Sequence, residues 1–214
     1  ELGRYYPYGT SAQHIIGYVG RITENNLEAY EKTHGRTMEE DGYNIFSDKF
    51  GQDGIEAYAE HWLTGNTSDK HGYLEAEVDA SRRVIKVLDE QIPKNGNDVV
   101  LTIDSRLQRI AETILAEELE KMREGIEPYD GDNHAPLAHT GAAVVLDVNT
   151  GEILAMASHA NSEYEFDLND FARGITAAEY RNLESDPSQP LYAIAFQGGQ
   201  LPGSVIKMLV GMAA

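Results

Sequence analysis

The chain contains no cysteine among its 214 residues. Disulfide bonds, thiol catalysis and cysteine-ligated zinc are therefore excluded. Basic residues are also scarce, since 17 Lys and Arg stand against 36 Asp and Glu, for a formal net charge of -19. Because phosphate binding needs clustered Lys and Arg, this balance argues against a nucleic-acid partner and against docking on anionic lipid through a basic patch.

Long hydrophobic runs are missing as well. No stretch approaches the roughly 18 apolar residues of a membrane span, and no signal peptide opens the chain. The sequence has no Met at its start, and it stops within the apolar run Gly211-Met212-Ala213-Ala214. We therefore expect a piece of a longer protein, and the lack of a targeting segment in these residues carries little weight.

The seven histidines show no pattern typical of a metal site. None has the close His/His/carboxylate spacing of a zinc helix, and the acidic pairs and triplets lack EF-hand spacing. His134 and His139 flank a Pro-containing loop, where we expect solvated side chains. The sequence predicts neither a metal nor a cofactor.

A Ser-x-x-Lys pattern near the end of the chain is the strongest chemical signal. Ser204 and Lys207 are three residues apart, so they share one face if the segment is helical. Serine is a weak nucleophile and needs an adjacent base, which a lysine with a lowered pKa can supply. About one such pattern is expected by chance in a chain of this length, so its significance depends on context.

The first part of the chain, to about Pro93, predicts short and broken elements. Residues 13–22 favour a β structure, and residues 25–47 read as an irregular surface insertion. Residues 51–63 carry apolar side chains at helical spacing and predict one amphipathic helix. Two β-like runs, 72–78 and 82–88, predict a hairpin.

The second part, after a turn at Lys94 to Asp98, has a clearer pattern. Residues 99–103 predict a buried strand, and Ser105 and Gln108 predict a capping box that opens a helix to about Glu124. Two apolar strands, 142–148 and 152–158, are joined by Asn149-Thr150-Gly151, a strong hairpin signal, and we place them centrally in a covered sheet with the long helix packed on it. Short helices are expected at 177–183 and from Ser204 onward.

Taken in order, motifs over nearly the whole chain make it similar to a class B penicillin-binding protein. The matching motifs are Arg4-Tyr5-Tyr6-Pro7-Tyr8-Gly9, His14-Ile15-Ile16-Gly17-Tyr18-Val19-Gly20, Gly51-Gln52-Asp53-Gly54-Ile55-Glu56, Leu63-Thr64-Gly65, Leu101-Thr102-Ile103-Asp104 with Leu107-Gln108, Gly141-Ala142-Ala143-Val144-Val145-Leu146-Asp147, Thr150-Gly151-Glu152-Ile153-Leu154-Ala155-Met156-Ala157-Ser158, Phe166-Asp167-Leu168-Asn169-Asp170-Phe171, Pro190-Leu191-Tyr192 and Pro202-Gly203-Ser204-x-x-Lys207. Each motif is unspecific by itself, whereas their common order is a strong signal.

The resemblance implies an α+β fold of two parts. Residues 1–95 would be part of an N-terminal, non-catalytic dimerisation or pedestal module, and residues 96–214 would be the start of a transpeptidase domain, an antiparallel sheet with packed helices. Ser204 would be the acylated nucleophile and Lys207 its partner. The resemblance further implies a membrane-anchored enzyme on the extracellular face of the cell membrane.

The same resemblance implies three kinds of partner. They are peptidoglycan stem peptides ending in D-Ala-D-Ala, β-lactam antibiotics and cell-wall synthesis proteins.

In the N-terminal part, Glu56 is expected to be a structural carboxylate rather than a catalytic one. Arg4 is expected to tie the two modules together by a charge-assisted hydrogen bond.

Two alternatives to the enzyme remain: a β-lactam sensor, which the N-terminal matches disfavour, and a scaffold, which departures from the family pattern keep open. Ala193-Ile194 stand where the family usually has Asn-Arg, and Val205, Ile206 and Met208 replace its usual residues around the lysine. The second and third motifs of the family, Ser-x-Asn and Lys-Thr/Ser-Gly, lie downstream of the seven residues that follow Lys207. We therefore expect these 214 residues to be inactive by themselves. The alternatives are a β-lactam sensor and a non-catalytic scaffold with a degenerate site.

Overall fold

The computed structural model describes residues 4–164, 166–199, 204 and 206–213. These residues form an α+β structure that divides into two compact units, one from the ranges 1–102 and 166–177 and the other from 103–165 and 178–214. The predicted division into 1–95 and 96–214 stays a prediction. Residues 96–102 group with the first unit, and residues 166–177 also belong to it although they lie far along the sequence.

The first unit is built from short helices and two small antiparallel sheets. Its elements are α1 (Gln13–Ile16), β1 (Val19–Arg21), α2 (Glu24–His34), β2 (Lys49–Gly51), α3 (Gly54–Tyr58), α4 (Glu60–Leu63), β3 (Tyr73–Val78), β4 (Val84–Gln91) and α6 (Leu168–Arg173). Strand β1 pairs with β2, with Val19 opposite Gly51. The predicted hairpin is confirmed, since β3 pairs with β4.

Three predictions for the first unit are wrong in part. Residues 13–16 form a helix rather than a strand, and Gly17 ends it at φ 70, where a Cβ would lie 1.9 Å from the backbone oxygen of Asp53. Helix α2 lies within the segment predicted to be irregular. Its sequence signal is a capping box of polar residues. The Thr23 hydroxyl accepts from the backbone N–H of Asn26, and the Asn26 side-chain oxygen accepts from the backbone N–H of Thr23.

The predicted helix over 51–63 is interrupted. Residues 49–51 pair with β1 instead, and Asp53 caps α3 through its carboxylate. Ala59 leaves helical geometry at φ -98 and ψ 9, which separates α3 from α4. Sheet pairing and a strong N-cap thus override a continuous apolar stripe.

The second unit centres on one long helix and one hairpin. Its elements are α5 (Ser105–Glu124), a 3-10 turn (Gly131–Asn133), β5 (Thr140–Leu146), β6 (Ile153–Ala160), α7 (Ala177–Ser185), α8 (Ile194–Gln197) and α9 (Ile206–Ala213). The predicted antiparallel hairpin is confirmed, with Ala142 opposite Ser158. Helix α5 packs on both of its strands, as predicted.

Close packing between α5 and the hairpin has a visible cause. A Cβ at Gly141 would lie 3.0 Å from Leu119 and 3.2 Å from Leu115, so the glycine lets the helix approach β5. Leu119, Ala155 and Ala157 are buried at this contact. The other face of β5 is exposed at alternate residues, including Val144 and Leu146. The hairpin is therefore covered by α5 on one face and is partly exposed on the other.

The predicted strand over 99–103 is wrong. No β-ladder forms over these residues in the part of the chain that the structure describes, and Val100 is 93% exposed. A run of β-branched residues favours a strand only where a partner strand supplies the ladder. The backbone N–H of Asp104, just after this run, donates to the carbonyl of Leu154.

Candidate functional site

The segment before Ser204 is anchored on the hairpin of the second unit. The backbone N–H of Ala195 in α8 donates to the Ser158 hydroxyl at 3.0 Å. The N–H of Ala193 donates to the Gln197 side chain at 2.9 Å, and the Tyr192 hydroxyl donates to the Gln197 carbonyl. Ala193 itself is buried. This short helix is thereby held against β5 and β6 a few residues upstream of the candidate nucleophile.

Ser204 and Lys207 lie on either side of the start of α9. Ser204 is in a 3-10 turn, Lys207 is in the first turn of α9, and both side chains are exposed. A helix was predicted from Ser204 onward, and among the described residues α9 covers Ile206–Ala213. Pro202, Gly203 and Val205, which complete the motif, lie outside the described residues.

Helix α9 carries apolar side chains that face solvent. Met208, Leu209, Val210 and Met212 are each at least 60% exposed. An apolar helix of this kind in a complete domain is normally covered by other elements. Ser204 and Lys207 thus stand at the start of an apolar helix, accessible to a reactant in this structure.

Buried charges of the first unit form a separate cluster. The Glu56 carboxylate is 5% exposed, binds Arg4 Nη2 at 2.7 Å and accepts from the Tyr6 hydroxyl at 3.2 Å. The predicted salt-bridging and hydrogen-bonding role of Glu56 is confirmed. The prediction that Arg4 ties the two modules together is wrong, because its ion-pair partner lies in the same unit.

A second buried carboxylate, Glu60, was not singled out in the sequence. It accepts from the Gly51 N–H at 2.9 Å and from the Tyr43 hydroxyl at 3.3 Å. Burial raises the pKa of Glu60, and the bond from Gly51 opposes that effect. Burial likewise raises the pKa values of Tyr6 and Tyr43, with the nearby glutamates adding to it. Their hydrogen bonds and the Arg4–Glu56 ion pair connect separate short elements of the first unit.

Two side-chain amides hold distant backbone segments, and sequence reasoning missed both. Gln108 in α5, which is 1% exposed, donates to the Met156 carbonyl at 3.1 Å and accepts from the Met156 N–H at 2.7 Å. Asn169 in α6 makes the same pair of bonds to Tyr6, each 2.9 Å. Their partners are 48 and 163 residues away, so no local pattern points to them.

Metal-binding residues do not come together in the described ranges. Among those residues, no group of three or more His, Asp or Glu side chains is placed to hold a metal ion. His134 Nε2 lies 2.8 Å from the Arg123 carbonyl. His159 is half-buried, and its pKa is lowered by burial and by the charge of Arg123. Over the same residues, no helix is both long enough and apolar enough to cross a bilayer.

Comparisons with known families match most of the chain. The family model described as the penicillin-binding protein dimerisation domain matches residues 1–101, and the one described as the penicillin-binding protein transpeptidase domain matches residues 141–214. The chain belongs to the class B penicillin-binding protein family. Ser204 and Lys207 lie within the residues that match the transpeptidase model.

Curated relatives agree with this assignment. The peptidoglycan D,D-transpeptidase MrdA of Escherichia coli strain K12 is 36% identical over 211 residues, which are 99% of this chain and 28% of that protein. MrdA of Acinetobacter baumannii is 34% identical over 212 residues, covering 99% of this chain and 26% of the relative. The chain thus spans little more than a quarter of the length of these relatives.

Solved penicillin-binding proteins share the fold. PBP2 of Helicobacter pylori, in its complex with MreC, superposes with a TM-score of 0.68 at 29% identity, over 99% of this chain and 32% of that one. Pseudomonas aeruginosa PBP2, in complex with WCK 5153, gives a TM-score of 0.63 at 28% identity, over 100% of this chain and 35% of that one. The α+β fold class predicted from the sequence is confirmed.

Proposed function

We propose that these residues belong to a peptidoglycan D,D-transpeptidase that uses Ser204 as its nucleophile and Lys207 as its base. One observation carries the proposal: the Ser204-x-x-Lys207 pair stands at the start of a helix, within residues that match a transpeptidase family model. Relatives named peptidoglycan D,D-transpeptidase support the substrate class. The substrate is then a stem peptide that ends in D-Ala-D-Ala, and β-lactams are acylating inhibitors.

The chemistry follows from the two side chains. Ser204 Oγ attacks the carbonyl carbon of the D-Ala-D-Ala bond while Lys207 Nζ takes its proton. The C–N bond then breaks, the proton passes to the departing amine, and D-Ala leaves an ester on Ser204. An amine of a neighbouring stem peptide attacks that ester, which restores the serine and forms the crosslink. The backbone N–H of Ser204, at a helix start, is a natural donor to the oxyanion.

Penicillin labelling of the full-length protein tests these roles. We expect Ser204→Ala to abolish labelling with a fluorescent penicillin and Lys207→Ala to slow it by at least about a hundredfold, as loss of a general base does. Ser185→Ala, which changes an exposed serine of α7, serves as the matched control and labels like the parent.

The same assay separates the two alternatives. A protein that labels on Ser204 but forms no crosslinked product with stem peptides would be a β-lactam sensor. A folded full-length protein that takes no label would be a non-catalytic scaffold, and either result would overturn the proposed activity.

We also propose that the 214-residue chain by itself is not acylated at a useful rate. Only seven residues follow Lys207, so the sequence holds neither downstream motif nor the second oxyanion donor expected beside the third motif. The loss of one such donor costs about 10²–10³ in rate. Intact-mass measurement after incubation with penicillin tests this, and stoichiometric acylation within minutes would contradict it.

Location and protein partners complete the proposal. We place the protein at the extracellular face of the cell membrane, where its substrate lies, with an anchor outside these residues. The likeness to PBP2 of H. pylori, solved as a complex with MreC, supports a cell-wall synthesis protein as a partner. Protease accessibility in intact spheroplasts tests the location, and protection of the protein from external protease would contradict it.

A further inference from the structure

A polar cleft in the first unit has no role in the chemistry proposed for Ser204. Its volume is about 430 Å³, within the range of roughly 300–1,000 Å³ typical of small-molecule sites. Trp62 of α4 forms part of its wall, together with Asn97, Thr67 and Ser68. All of these residues belong to the first unit.

Trp62 is the one tryptophan of the chain, and it is 48% exposed. Its ring centroid lies 6.5 Å from that of Tyr58 and 5.8 Å from that of His61. The Trp62 carbonyl accepts from the Asn97 N–H at 2.7 Å, which fixes the backbone at the cleft. A half-exposed indole on a fixed backbone presents a rigid apolar surface beside polar groups.

The charges around the cleft cancel, although the chain as a whole carries a formal net charge of -19. Arg36 and Lys70 supply two positive charges, and Asp41 and Asp69 supply two negative ones. Arg36 Nε pairs with Asp41 at 2.8 Å, and Lys70 Nζ donates to the Thr64 carbonyl at 2.9 Å. Because no net charge faces the cleft, its chemistry favours a neutral ligand over an anion or a cation.

Hydrogen-bonding capacity at the cleft is supplied by an exposed side-chain amide. Asn97 lines the cleft and is exposed, and its amide both donates and accepts. The Thr67 hydroxyl is buried and interacts with the Asp69 carboxylate, which lowers the pKa of Asp69. Asn97 is therefore a polar side chain placed to meet a ligand beside the Trp62 ring.

We propose that this cleft binds a short glycan built of N-acetylated amino sugars. The C–H face of a pyranose ring packs on the face of an indole, whose π-system is negative there. Hydroxyl and acetamido groups are neutral, and an acetamido group pairs with an asparagine side chain through one donor and one acceptor. The inference uses neither Ser204 nor Lys207, so it stands or falls separately from the proposed transpeptidase activity.

Because Trp62 is unique, its emission reports directly on the cleft. Titration of the 214-residue chain with the tetramer of N-acetylglucosamine, and with peptide-free glycan strands, is expected to give a saturable change in tryptophan fluorescence. Asn97→Ala should weaken binding by about fivefold, the effect of one lost hydrogen bond. Ser204→Ala should bind as the parent does.

Sedimentation with purified peptidoglycan sacculi gives a second readout that needs no tryptophan. Trp62→Ala should lose binding, whereas Phe46→Ala, which removes an aromatic side chain 93% exposed elsewhere in the unit, should keep it. Circular dichroism confirms that each variant is folded, and Asn97→Ala decides the matter if Trp62→Ala is not. Three results would overturn the proposal: no saturable response up to about 10 mM sugar, unchanged binding by Asn97→Ala, or an equal response to a sugar-free stem peptide.

Discussion

Glu56 and Glu60 in the first unit are both buried, but only one of them has a cationic partner. Glu56 pairs with Arg4, whereas Glu60 has no Lys or Arg within ion-pair distance among the described residues and depends on Gly51 and Tyr43. A buried carboxylate without a cation retains much of its desolvation cost when it is ionised. The raised pKa of Glu60 expresses that cost.

The stability of the chain should therefore depend on pH through Glu60. Since the pKa of Glu60 is higher in the folded state than in the unfolded chain, the folded state holds the proton longer, and stability falls as pH rises through the folded-state pKa. We expect Glu60→Gln to remove this dependence, so that the parent gains stability relative to the variant as pH is lowered from 8 to the ordinary glutamate pKa of 4.5. Urea unfolding across that range measures it.

Glu39→Gln is the matched control for this experiment, because Glu39 is exposed in the same unit. It should follow the parent at every pH. A stability difference between the parent and Glu60→Gln that stays constant from pH 8 to pH 4.5 would show that the pKa of Glu60 is not raised in the folded state.

At the scale of elements, helix α5 was predicted correctly from its apolar period, but its N-cap residue was not. Its apolar period and its end at Gly125, with φ 67, were both readable from the sequence. The cap was assigned one residue too late, because Asp104 and not Ser105 accepts from the N–H groups of Arg106 and Leu107. Gln108, predicted to close the capping box, instead binds Met156.

Removal of that cap should weaken α5. Asp104→Ala is expected to lower the melting temperature by about 2–4 °C. The bonds from Leu107 and Arg106 lower the pKa of Asp104, so its contribution is present above the ordinary aspartate pKa of 3.8 and is lost as pH falls through the folded-state value. Thermal melts at pH 7 and at low pH measure the effect, with the exposed Asp98→Ala as control. Equal melting temperatures for both variants at pH 7 would contradict this account.

Apolar patterns bounded by turn residues were predicted correctly, whereas a polar local signal was missed and an apolar run without a partner strand was misassigned. The hairpin of β5 and β6 carries Asn149-Thr150-Gly151 between two apolar runs, and the sequence placed it correctly. The run at 99–103 has the same apolar character, but it has no partner strand and forms no β-ladder in the part of the chain that the structure describes. Helix α2 carries no buried residue, so its sequence has no apolar period that would indicate a helix. Only its polar capping box marks where it begins.

At the scale of the whole molecule, the chain path is less simple than two consecutive halves. Residues 166–177 join the first unit, where Phe166, Leu168 and Phe171 are buried. The rings of Phe166 and Phe171 contact each other and the ring of Tyr18. The composition of the sequence does not change where the chain returns to the first unit. The return depends on contacts with residues about 150 positions earlier, which a local pattern does not show.

Asn169 fixes that return to the N-terminal segment. We expect Asn169→Ala to lower the free energy of unfolding of the first unit by about 2 kcal/mol, because two hydrogen bonds to the Tyr6 backbone are lost and its polar groups remain partly buried. Urea unfolding with near-ultraviolet circular dichroism measures it. The exposed Asn182→Ala in α7 is the control, and equal stability of the two variants would contradict the assigned role.

The candidate site was predictable only as a pair of residues in an ordered set of motifs. Ser204 and Lys207 were identified because their spacing and their place after the other motifs agree with one family. The anchoring of α8 on Ser158 depends on a hydrogen bond between residues 37 positions apart, which no local pattern indicates. The role of the pair stays a prediction that chemistry must test.

The most direct test identifies the residue that penicillin modifies. The full-length protein is incubated with a β-lactam, digested, and its adduct mapped by tandem mass spectrometry. Our account predicts one adduct, an ester on Ser204 that adds the whole mass of the antibiotic, and its loss in Ser204→Ala. An adduct on any other residue would contradict the central claim.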